Sequence, residues 1–212
     1  SRKWFAASVT HMDAGIGHII DALEQTGQRK NTLVVFVSDN GGAKSWHSDT
    51  QYQGRYADKP HKVLGNNYPL RGMKGSLYEG GIRIPAFVNW PGKLKKGSLD
   101  MPVHITDWLP TLCGLAGCEQ DAEHLNLDGR NIWPVIAGQE SPPKARQMYW
   151  KISETYAVRE GPWKMLVNRN NDKTELFDLE DDFRETSDLS EENPEKVEHM
   201  MELLEDFKED DR

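Results

Sequence analysis

The chain has 212 residues, with 26 Lys or Arg against 34 Asp or Glu and a formal net charge of -8. That balance, with no basic stripe, argues against general affinity for a nucleic-acid backbone, and no apolar run approaches the roughly 20 residues that span a bilayer. The length suffices for one domain with a sizeable core, or for a domain with a small partner layer.

Phe5, Val9, Met12, Ile16, Ile19, Ile20 and Leu23 recur at steps of three and four, which predicts an amphipathic helix ended by Gly27. Ser1-Arg2-Lys3-Trp4-Phe5 lacks a methionine and the apolar core of a signal peptide, so a processing boundary is expected there. Leu33 to Val37, "LVVFV", is a continuous apolar run without alternation, as expected of a central strand covered on both faces. It stops at Ser38-Asp39-Asn40-Gly41-Gly42, a turn-forming composition. Ala43 to Tyr68 is polar and aromatic with neither period, and loops of that length in compact domains are usually functional.

"PLRGMKGSLYEGGIRIPAFVNWPG" follows, a glycine-rich block leading into a second short strand around Ile84 to Trp90 that Pro85 makes irregular. "HITDWLPTLCGLAG" reads as a helix with Thr106 or Asp107 as cap, Pro110 near the first turn and Gly117 as stop. The two cysteines, Cys113 and Cys118, point apart if they share that helix, whereas a stop at Gly117 brings them closer; buried free thiols are expected. After "LDGRNIWPVIAG" and the loop "QESPPK" the composition changes. "QMYWKIS", "TYAVREGPWKMLVN" and "TELFDLEDD" predict three or four antiparallel strands with a turn at Gly161-Pro162. From Pro194 to Asp211 a charged helix carries one stripe of Val197, Met200, Met201, Leu204 and Phe207. The expected division is residues 1–146, an α/β region, and residues 147–212, a small antiparallel subdomain with a closing helix.

"NTLVVFVSDNGG", "LRGMKGSLYEGGIRIPAFVNWPG", "ITDWLPTLCGLAG", "LDGRNIWPVIAG" and "ELFDLEDDFRETSDLS" occur in the order and spacing of the type I, formylglycine-dependent sulfatases. The block "NNYPLRGMKGSLYEGG" most resembles the arylsulfatase B-like and bacterial glycan sulfatase branches. The resemblance covers essentially the whole chain but only the C-terminal half of such an enzyme. It implies the C-terminal part of an α/β, alkaline-phosphatase-like fold, hydrolysis of sulfate esters, calcium, and a periplasmic, secreted or lysosomal setting.

The resemblance assigns Asp39 and Asn40 to calcium. A hard cation takes oxygen ligands such as a carboxylate and an amide carbonyl, and α/β sheets bind ligands beyond the carboxyl ends of their strands. Lys74 inherits contact with the sulfate, where a compact ammonium stabilises charge on the leaving oxygen. Arg71, Glu79 and Arg83 read more economically as an ion-pair network holding the loop. His47, His61 and Asn66 lie where members of the family vary and are weaker candidates for contact with the group bearing the sulfate; His11, His18 and His104 are read as structural or solvent-facing.

Neither cysteine and no serine is followed by the proline and Ser-Arg that mark the formylglycine position. The nucleophile and the remaining metal aspartates are therefore expected in an N-terminal half, the natural partner of this chain beside a sulfated small molecule or glycan. The chain is expected to be a truncation, a processed subunit or one part of a split enzyme, inactive alone. Two other readings remain open: a sulfated-glycan-binding fragment without turnover, and a phosphoester hydrolase of the same superfold.

Overall fold

The computed structural model describes residues 2–43, 65–118, 125, 127–143 and 145–210. Helix α1, Arg2–Gln25, ends where Gly27 adopts φ 70°, with the Gln28 amide donating to the Leu23 carbonyl at 2.9 Å, a left-handed glycine stop. Its predicted stripe forms but is open among the described residues: Phe5, Val9, Met12 and Ile19 are exposed and Ile16, Ile20 and Leu23 half-buried.

Strand β1, Val34–Val37, pairs antiparallel with β2, Ala86–Asn89, from Val34 opposite Asn89 to Val37 opposite Ala86. The second predicted strand is thus present. The expectation that β1 is covered on both faces does not hold among the described residues, where none of its four residues is buried and Val35 and its neighbour Phe87 are exposed. A continuous apolar run reports how much cover a strand requires, not which element supplies it. Phe36 and Phe87, directly opposite one another, stack at 5.0 Å between ring centres.

The short helix α2, Glu79–Ile82, closes the glycine block. A 3-10 turn, Ile105–Asp107, leads into α3, Trp108–Ala116, which stops at Gly117 with φ 74°. Asp107, one of the two predicted caps, holds the cap position of α3 but makes no side-chain cap bond there; the capping bonds are made at the start of the 3-10 turn, where the His104 ring accepts from the Thr106 amide and the His104 amide donates to Asp107 at 2.7 Å. Cys113 and Cys118 are reduced thiols, half-buried rather than buried, with the Cys118 thiol 3.5 Å from the Cys113 carbonyl. Helix α4, Trp133–Ile136, has a proline in its first turn.

Strands β3 (Gln147–Ile152), β4 (Thr155–Glu160), β5 (Trp163–Asn168) and β6 (Lys173–Asp178) form one antiparallel meander in sequence order. Glu160 pairs with Trp163, which puts the turn at Gly161-Pro162 as predicted. The period of two divides the sheet into two faces. One carries Tyr156, Val158, Met165, Val167 and Leu176 and packs on Met200, Leu203 and Leu204 of helix α5, Pro194–Asp210. The other carries Ala157, Leu166 and Phe177 and packs on Leu77 of the glycine block. Full burial of a side chain such as Leu204 or Met200 contributes roughly 1.5–3 kcal/mol, so the meander is held on one side by α5 and on the other by the loop carrying Lys74.

Candidate active site

The turn after β1 has little room for side chains. The Ser38 hydroxyl donates to the Asn40 carbonyl at 3.1 Å, and the Asn40 side-chain amide donates to the Gly41 carbonyl at 3.0 Å. The Gly41 amide donates to Gly81 at 2.9 Å, and a Cβ on Gly41 would lie 1.8 Å from the Gly80 carbonyl oxygen. Only glycine permits that approach. The Lys74 amide in turn donates to the Gly42 carbonyl at 3.2 Å. The Asp39-Asn40 turn and the Lys74 loop are therefore fastened backbone to backbone.

Asn67 completes the junction. Its carbonyl oxygen accepts from the Gly42 amide at 2.7 Å, and its NH₂ donates to the carbonyls of Gly42 at 2.9 Å and Gly72 at 3.2 Å. Its neighbour Asn66, the residue singled out from the sequence, is exposed and makes the local turn bond to the Tyr68 amide at 3.1 Å. His47 and His61 lie outside the described residues.

Asp39 and Lys74 are exposed and Asn40 is half-buried. Asn40 uses its NH₂ on Gly41, which leaves its carbonyl oxygen as an acceptor beside the Asp39 carboxylate. These two hard oxygens fit calcium, as part of a shell of roughly 6–8. Among the described residues no group of three or more His, Cys, Asp or Glu gathers around a possible ion.

Behind the junction lies a buried ionic cluster. Lys164, the second residue of β5 and fully buried, donates to Glu79 at 2.9 Å and to Glu185 at 2.7 Å. The other Glu185 oxygen accepts from the Glu79 amide at 2.7 Å, and Arg83 lies 3.9 Å from Glu79. Burial pushes the Glu185 carboxyl up, against the pull of Lys164. Glu185 holds φ 57°, a left-handed conformation costing a non-glycine residue about 1 kcal/mol, and its side chain and its carbonyl, which accepts from Arg71 at 2.9 Å, are both in use.

Arg71 also donates to the Tyr78 hydroxyl and to Glu175, both at 3.1 Å, and lies 4.0 Å from the centre of the Tyr78 ring. Tyr78 donates to Glu175 at 2.5 Å, and burial, reinforced by that carboxylate, pushes its hydroxyl up to about 12. Burial acts to raise Glu175, but the hydrogen bonds from Tyr78 and Lys173 and the charge of Arg71 outweigh it and hold the carboxyl below its ordinary range. Arg71, Glu79 and Arg83 are thus the loop-holding network expected of them. The cluster adds Lys164 and Glu185, neither of which was singled out from the sequence.

Of the remaining histidines, His11 and His18 are exposed on α1. His104 is lowered by burial and caps the turn before α3. Asp107, fully buried, receives the Arg146 guanidinium through two bonds at 2.6 and 2.5 Å and the Arg130 amide at 3.1 Å, a bidentate structural pair.

The Sulfatase family model matches residues 2–118, and the model described as N-sulphoglucosamine sulphohydrolase, C-terminal, matches residues 73–210. Among relatives, arylsulfatase J of Mus musculus is 38% identical over 188 residues, covering 79% of this chain and 28% of the relative. A sulfatase of Formosa agariphila is 30% identical over 216 residues, covering 90% and 36%. The crystal structure of Ps i-CgsB in complex with k-i-k-neocarrahexaose superposes with a TM-score of 0.78 at 33% identity, covering 97% of this chain and 43% of that one. The chain belongs to the sulfatase family and has the C-terminal part of its alkaline-phosphatase-like α/β fold. It spans less than half the length of each of these relatives.

Proposed function

We propose that this chain is the C-terminal part of an enzyme that hydrolyses sulfate esters of sugars, completed by an N-terminal half. Asp39 and Asn40 hold calcium through a carboxylate and an amide oxygen, and the Lys74 ammonium holds a sulfate oxygen. Formylglycine in the other half would supply the nucleophile, and calcium the positive charge on the sulfate. Lys74 contributes most where charge grows on the oxygen that leaves. The segment from Ala43 to Tyr68, with His47 and Asn66, reads the sugar that carries the sulfate.

The observation that carries this reading is the glycine junction. Gly41, Gly42, Gly80 and Gly81 bring a carboxylate, an amide oxygen and an ammonium-bearing loop together at the end of a strand. The sugar substrate is supported by the carbohydrate complex of Ps i-CgsB. In the completed enzyme, Lys74→Ala is expected to lower kcat by on the order of 10²- to 10³-fold with a smaller change in KM; an unchanged kcat/KM removes Lys74 from the sulfate. Asp39→Ala should lose calcium, measured by metal analysis, together with turnover, and full calcium retention removes Asp39 from the metal. A wild-type enzyme that binds a sulfated oligosaccharide and never cleaves it would establish the non-catalytic reading instead.

A further inference from the structure

A cavity of about 330 Å³ lies beside the Lys74 loop, between Gly75–Tyr78 and the open end of the meander. Its far wall is one row of the sheet: Ile152 pairs with Thr155, Thr155 with Asn168, and Asn168 with Lys173, so four strands each place one residue on the same face at the same edge. The next row inward supplies Leu166 and Glu175, and the loop supplies Leu77. The two hairpins framing this edge carry Ser153 and Asp172, both with φ 51°.

The lining combines an apolar floor with polar groups that have capacity to spare. Leu77 and Leu166 are buried beneath it, while Ile152, an isoleucine at the edge of an otherwise packed face, is 41% exposed. Thr155 and Asn171 have no side-chain partner among the described residues. Asn168 accepts from the Asn170 amide and keeps its NH₂ unused. The two charged lining groups, Lys173 and Glu175, are paired at 2.9 Å, and Glu175 is further committed to Arg71 and Tyr78. A site of this kind suits a small ligand with one apolar face and several hydroxyls, without a net charge.

We propose that this notch binds an uncharged pyranose unit of the glycan, one flanking the sulfated unit. Gly75, at its rim, follows Lys74 directly in the chain, so the notch opens beside the loop that carries the proposed sulfate contact, and a sugar flanking the sulfated unit is the part of the glycan it would take. Ile152 packs under the ring, and Thr155, Asn168 and Asn171 take its hydroxyls. This inference rests on the reading of Lys74 as the sulfate contact.

The test uses the completed enzyme with two variants: Asn168→Ala/Asn171→Ala, which removes hydroxyl partners, and Thr155→Tyr, which fills the notch. Each is assayed on 4-nitrophenyl sulfate, which has no flanking sugar, and on k-i-k-neocarrahexaose. Binding of the chemically desulfated hexasaccharide is followed by saturation-transfer NMR. The expected result is a fall of at least tenfold in kcat/KM on the hexasaccharide, an unchanged rate on the aryl sulfate, and loss of the NMR signal. Equal falls on both substrates, or no fall and a retained signal, overturn the notch as a subsite. If wild-type enzyme cleaves neither sulfate ester, the sulfatase reading fails on its own, and the NMR comparison still decides the notch: a signal lost in both variants supports it, and one retained refutes it.

Discussion

Replacing Lys164 by methionine keeps most of the side-chain volume and removes the one cation that faces both Glu79 and Glu185. Both carboxylates are then buried, with Arg83 at 3.9 Å from Glu79 and the charge of Arg159 acting on it as well. Breaking a buried pair in this way costs about 3–5 kcal/mol. A limit can be set independently, because the folded protein escapes the repulsion by protonating one carboxyl. That costs about 1.4 kcal/mol for each pH unit above the unfolded carboxyl's pKa of about 4.3, hence about 4 kcal/mol at pH 7 and about 1 kcal/mol at pH 5. The sign follows from a folded-state pKa raised above the unfolded one: stability is kept below the unfolded value and lost as pH rises. Urea denaturation at pH 7 and pH 5, followed by tryptophan emission and far-UV circular dichroism, should therefore give Lys164→Met a large deficit at the higher pH and a small one at the lower. Deficits equal at the two pH values, or a deficit under about 1 kcal/mol at pH 7, refute the account of Lys164 as the neutralising centre of this cluster.

Gly41→Ala should cost stability and calcium affinity together, since its Cβ would meet the Gly80 carbonyl oxygen at 1.8 Å and the turn bearing Asp39 must move; an alanine variant with wild-type calcium binding contradicts the junction as described. Residues 1–212 alone should hydrolyse no aryl sulfate with calcium present, since positioning groups cannot replace a nucleophile, and turnover above a Lys74→Ala control would defeat that. The same chain should self-associate through Phe5, Val9, Met12 and Ile19 of α1 and Val35 and Phe87 of the β1–β2 pair, all exposed; a stable monomer by light scattering defeats this expectation.

What the sequence disclosed and what it withheld divide along the range of the interactions. The meander, its turn at Gly161-Pro162, the stripe of α5 and the stop at Gly117 are set by neighbours within a few residues, and local periods announce them. The direction of β1's pairing was not announced, because an apolar run is equally compatible with a parallel or an antiparallel neighbour. Nor was the choice between Asn66 and Asn67, two identical side chains of which one meets the Gly42 backbone 25 residues earlier and the other only its own turn. Lys164 is the clearest case. In "WKMLVN" a lysine reads as the solvent-facing residue of a half-buried strand, yet it is fully buried because Glu79, 85 positions away, and Glu185, 21 positions away, converge on it. Its neighbours in the chain carry no trace of those partners. The same long reach gives it consequence: through Glu79 it holds α2, whose Gly80 and Gly81 carry the hydrogen bonds to Arg71 and Gly41. A buried charge in the C-terminal sheet thus sets the position of both the turn bearing Asp39 and the loop bearing Lys74, although it touches neither side chain.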